Sequence, residues 1–61
     1  MIEKEVFVKN IGRFVRLGLR PNNFGLKGTI LHVYEDSIVF QTAQKTSYLD
    51  ISAIETLIPE D

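Results

Sequence analysis

Between Arg13 and Arg20 the chain alternates, with Val15, Leu17 and Leu19 on one side and Arg16, Gly18 and Arg20 on the other. A period of two with one polar face predicts a half-buried strand. The stretch Arg20-Pro21-Asn22-Asn23 ends it, because proline fixes φ and asparagine tolerates turn conformations. A second strand is expected from about Phe24 to Val33, with Leu26, Gly28 and Ile30 on one face. Glycine weakens a strand unless the backbone bends or meets another backbone there, so Gly28 reads as a barrel corner.

Tyr34-Glu35-Asp36-Ser37 is the next turn, and the continuous apolar run Ile38-Val39-Phe40 predicts a strand covered on both faces. Thr42 to Lys45 makes a polar hairpin connection. Thr46 to Ile51 is a fourth strand with Leu49 and Ile51 inward. After a break at Ser52-Ala53, Ile54 to Ile58 is a fifth strand stopped by Pro59. Strands at this regular spacing, separated by turn signals, are the signature of a small barrel or sandwich. The N-terminus has two readings. Ile2, Val6, Phe7, Asn10 and Ile11 fit an amphipathic helix over 2–11, whereas Val6, Phe7 and Val8 favour a strand by propensity. Glu3 and Glu5 at the start and Lys9 near the end suit the helix dipole, and the helix is preferred. The expected fold is mostly β: a strongly bent, SH3-like antiparallel barrel of five strands over 13–58 behind a short helix, in a single domain over 1–61.

Composition narrows what such a fold can do. The 61 residues contain no cysteine and one histidine, His32, which excludes a disulfide framework and a multi-histidine metal site. Hydrophobic residues make up 44% and charged residues 25%, a globular composition. Apolar stretches are too short for a membrane span and no signal peptide opens the chain, so a cytoplasmic location is expected. A core this small without a disulfide or a metal leaves idealised packing or oligomerisation as the remedies.

The net charge of −1 hides an asymmetry: residues 6–34 carry +5 and the remainder −6. The basic residues are Lys9, Arg13, Arg16, Arg20 and Lys27. Such segregation can form a phosphate-binding patch, match a neighbour's acidic half, or simply solvate strand faces. No catalytic constellation is present. Ser37, Ser47 and Ser52 share one histidine as their only conceivable base, and Gly25-Leu26-Lys27-Gly28 lacks phosphate-loop spacing. A non-enzymatic protein without a cofactor is expected.

Leu26-Lys27-Gly28-Thr29-Ile30, the acidic turn and Ile38-Val39-Phe40 together resemble the first half of the Sm motif. Ala53-Ile54-Glu55-Thr56-Leu57-Ile58-Pro59 resembles the end of the Hfq-like branch of that family. The resemblance runs from about Arg13 to Pro59. It implies rings of about five to eight copies, six or seven favoured, in which the fourth strand of one copy pairs with the fifth of the next and no edge is left open. Tyr48, Leu49, Ile54 and Leu57 are then the candidates for the seam. It also implies RNA binding, with a departure at the usual uridine pocket. The family's Tyr-Lys-His run is replaced by Asp50-Ile51-Ser52, Tyr34 stands at the aspartate position, and Asp36 stands where a base-stacking residue is expected. Glu35, Asp36 and Asp50 would repel a phosphate backbone there.

Single-stranded RNA would therefore have to use another surface. Its candidates are Arg16, Arg20 and Lys27, with Lys9 and Arg13 beside them. Asn22 and Asn23 could hydrogen-bond a base, and Tyr34 or Phe24 could stack on one. Against this, arginines on an exposed strand commonly only solubilise it, and aromatic residues commonly belong to a core or an interface. The same points leave a second reading: an Sm-like oligomer without RNA binding that serves as a structural or protein-interaction module. His32 reads as a partly exposed strand residue.

Overall fold

The second strand is the element around which the chain is organised. The computed structural model describes residues 2–60; Met1 and Asp61, the latter one of the acids counted above, lie outside the described residues. A short helix α1 (Lys4–Lys9) precedes five strands, β1 (Phe14–Leu19), β2 (Phe24–Val33), β3 (Ser37–Gln41), β4 (Thr46–Asp50) and β5 (Ile54–Pro59). All neighbouring pairs are antiparallel, in the order β4-β3-β2-β1-β5. The fold is thus mostly β, a five-stranded antiparallel sheet with an N-terminal helix. The sheet is not closed, and β4 and β5 are its two edges.

β2 changes partner along its length. Phe24 to Thr29 pair with β1, and Thr29 to Val33 pair with β3. A straight strand of ten residues would span about 30 Å, more than any principal dimension of the molecule, 23 × 23 × 20 Å. The bend falls at Gly28, where a Cβ would collide with the backbone carbonyl of Gln41 and come within 3.2 Å of the Phe40 ring. Close backbone approach is why glycine stands there. The close approach of another backbone, one of the two reasons read from sequence for a glycine in this strand, is present. Two residues on, the register slips between Ile30 and His32, and Gly12 donates its N–H to the Ile30 carbonyl (2.8 Å) at that point.

The bend wraps the sheet around Phe7, Val15, Leu17, Ile30, Ile38, Phe40, Ile51 and Ile54, the buried core. Phe7 brings α1 into it, and Asn10 closes the helix by donating its side-chain amide to the Val6 carbonyl at 2.7 Å. The helix is shorter than the 2–11 expected, since Asn10 already leaves helical dihedrals. Val39 departs from the expectation of a strand covered on both faces. Ile38 and Phe40 are buried and Val39 between them is only half-buried, because its outward side meets no second layer. Ile51 points inward as expected, but from a 3₁₀ turn over Ile51–Ala53 that links the edge strands β4 and β5. Pro59 ends β5 on a sheet edge, where a missing N–H costs no ladder bond.

Candidate nucleic-acid interface

The alternation in β1 turns Phe14, Arg16 and Gly18 outward while Val15 and Leu17 fill the core. The ladder then fixes their neighbours. Arg16 stands directly across from Lys27 on β2 and from Ile58 on β5, and Phe14 from Thr29. One outward face therefore carries two cations side by side, between the exposed apolar residues Phe14 and Ile58. Gly25 lies diagonally from Arg16, and its bare Cα makes room for the guanidinium. A Cβ there would stand 3.1 Å from both Nε and Nη2 of Arg16.

Further along the same face, the side chains of Asn23 and Thr56 close over Gly18. The Thr56 hydroxyl donates to Asn23 Oδ1 at 3.1 Å. Asn23 holds a left-handed backbone (φ 54°), which asparagine adopts more readily than most residues. It is thus tied down by its neighbour rather than offered to a base. Asn22, one residue earlier in the turn, is exposed.

The other candidates lie apart from this pair. Arg20 bonds through Nε to the Ser52 carbonyl at 3.0 Å and faces Glu55 at 3.6 Å, which fixes the end of β1 to the 3₁₀ turn. Arg13 leans on Asn10 Oδ1 at 3.4 Å, and Lys9 ends α1. Lys27 itself reaches Glu60 at 3.9 Å. These pairs are solvent-exposed, and contacts of that kind contribute only about 0–1 kcal/mol, so a phosphate can displace the carboxylate. Among the described residues Arg16 makes no ion pair. Tyr34 sits at the far end of β2, where its ring meets His32 edge-on at 4.5 Å and lies near-parallel to Tyr48 at 6.5 Å. Phe24 is exposed at the start of β2 with inward parity.

Phe14 is the aromatic residue that sequence reasoning missed beside Arg16. The signal was available, because Phe14 shares the parity of Arg16. A groove of about 390 Å³ begins at Lys27 and runs past Gly25 and Leu26 to the β3–β4 loop and the start of β4, where Lys45 and Ser47 line it. A larger groove, about 600 Å³, gathers Glu3, Glu35, Asp36 and Asp50 around Lys4. Lys4 bonds Glu35 at 3.2 Å. The three carboxylates singled out from sequence thus line one depression, which is hostile to phosphate.

Of the seam candidates, Tyr48 is 73% exposed on the edge strand β4, and Leu49 and Leu57 are half-buried. Ile54 is fully enclosed in the chain's own core. Among the described residues no group of three or more histidine, aspartate or glutamate side chains could hold a metal, and no helix is long and apolar enough to cross a membrane. No protein-family model matches the chain, and no curated protein matches it.

Proposed function

We propose that this protein is an Sm-like, cytoplasmic RNA-binding module that assembles into a ring and takes single-stranded RNA on the outward face of β5-β1-β2. The observation that carries the reading is the outward pair Arg16 and Lys27. Their charges stand side by side on a rigid ladder, with Phe14 exposed beside them for base stacking. The groove from Lys27 to Lys45 extends this basic track across the strands. The acidic depression around Asp50 repels a phosphate backbone from its own part of the surface. Assembly is supported by the two open edges, β4 and β5, which are the strands the family pairs between copies. No catalytic group is required by this reading.

Salt dependence is the test. Labelled U-rich and A-rich oligoribonucleotides should bind at about 50 mM salt and lose most of their affinity by about 200 mM, because each phosphate contact releases counterions. Arg16→Glu combined with Lys27→Glu should remove binding and leave the circular dichroism spectrum intact. Titrations unchanged in that double variant would sink the proposed surface. Light scattering gives the subunit number, and a monomer at micromolar concentration would remove the ring.

A second reading is favoured by a separate observation. Glu55 and Glu60 already face Arg20 and Lys27, so part of the basic patch is neutralised within the chain. An Sm-like oligomer that serves as a structural or protein-interaction module fits this. It should show no RNA binding even at low salt, with the oligomer intact.

A further inference from the structure

The outward side of β2-β3-β4 is built differently from the basic face. His32, Val39 and Tyr48 stand in one row across the three strands, since His32 pairs with Val39 and Val39 with Tyr48. Tyr34 joins the row from the turn, near-parallel to Tyr48 and edge-on to His32. Tyrosines usually bury their ring bodies, yet here Tyr34 is 47% and Tyr48 73% exposed. This is an aromatic sheet face on which no layer packs among the described residues.

Charge decides what suits that face. Asp50 shares the outward parity of Tyr48 on β4, and Glu35 follows Tyr34 directly. Among the described residues Lys4 is the one cation lining the acidic groove next to them. A phosphate backbone is repelled here. A second copy docking face to face would set Asp50 and Glu35 against their own kind. A cation is favoured twice, by the ring faces and by the carboxylates. Arginine fits better than lysine, because a planar guanidinium stacks on an aromatic ring and still forks toward a carboxylate.

We infer that the outward row of His32, Tyr34 and Tyr48 is a docking face for an arginine-bearing, extended segment of a partner protein. The arginine lies flat on the Tyr48 ring, and its guanidinium edge turns toward Asp50. This face is separate from Arg16 and Lys27, so the inference stands or falls independently of RNA binding.

The experiment titrates ¹⁵N-labelled full-length protein with a short peptide of alternating arginine and threonine, alongside its lysine and citrulline counterparts. The arginine peptide should shift the amides of His32, Tyr34 and Tyr48. It should bind several-fold more tightly than the lysine peptide, and the citrulline peptide should not bind. Tyr48→Ala should weaken the arginine peptide about tenfold, the scale of a partly desolvated cation–π contact, and Tyr48→Phe should restore it. Both variants should leave RNA titrations unchanged. Equal binding of the lysine peptide with no effect of Tyr48→Ala would reduce the site to bulk electrostatics and overturn the inference. So would loss of oligomer in Tyr48→Ala, which would assign the ring to a contact between copies. Loss of RNA affinity in Tyr48→Ala would overturn it in favour of a base-stacking role.

Discussion

The two halves of β2 share one backbone and serve different outward patches. The first half pairs with β1 and presents Lys27 beside Arg16; the second pairs with β3 and presents His32 in a row with Tyr48. One face is basic and flanked by isolated apolar side chains. The other is aromatic and bordered by carboxylates. What separates them is a bend at Gly28 and a slip of register two residues later. A strand that changes partner part-way can thus segregate charge that the net value of −1 conceals.

The comparison breaks most completely if the layer beneath the bend is removed. Phe40 is fully buried under Gly28, so Phe40→Ala should cost about 3–5 kcal/mol and unfold much of the population. Thermal melting by circular dichroism reads this directly. A smaller loss is expected from Gly28→Ala, whose methyl group must displace the Gln41 backbone. About 1–3 kcal/mol is the scale of such overpacking. A denaturation midpoint equal to wild type would show that the bend does not depend on this glycine.

Asn23→Ala sharpens the comparison from the basic side. It removes the acceptor for Thr56 and places a Cβ-bearing residue without a polar handle at φ 54°. The expected loss is about 1–2 kcal/mol, and Asn23→Gly should recover most of it, since glycine accepts that φ freely. Identical losses in the two variants would assign the whole effect to the hydrogen bond. The smallest stability effect belongs to Gly25→Ala. Its methyl group meets only the flexible end of Arg16, so stability should stay within about 0.5 kcal/mol. RNA affinity should nonetheless fall about two- to threefold as the guanidinium is lifted off the sheet. Unchanged affinity there would separate Arg16's resting position from its role in binding.

Much of the fold was legible because its signals are local. The alternation from Val15 to Leu19, the proline and asparagines of the first turn and the polar Thr42–Lys45 connection each act within a few residues. The structure keeps all of them as read. Less of the candidate site was legible. Arg16 and Lys27 are far apart in sequence, and only the β1–β2 register makes them neighbours. Arg20 had the right parity, but the 3₁₀ turn and the start of β5 fold back to give it Ser52 and Glu55 as partners. Tyr34, grouped by charge with the basic half, belongs to the aromatic surface.

His32 marks the boundary between the two kinds of knowledge. Strict alternation along β2 would put it on the same face as Ile30, inside. The slip between Ile30 and His32 reverses the parity, so Val33 turns toward the core and His32 outward to join Tyr34 and Tyr48. The sequence by itself determined the strand-forming segments, their turns and the need for a glycine at the corner, because propensity and steric allowance are properties of neighbouring residues. Tertiary structure alone decided which faces those strands present beyond the corner. A bulge is set by how two distant segments pair, and a single extra residue inverts every side chain that follows it.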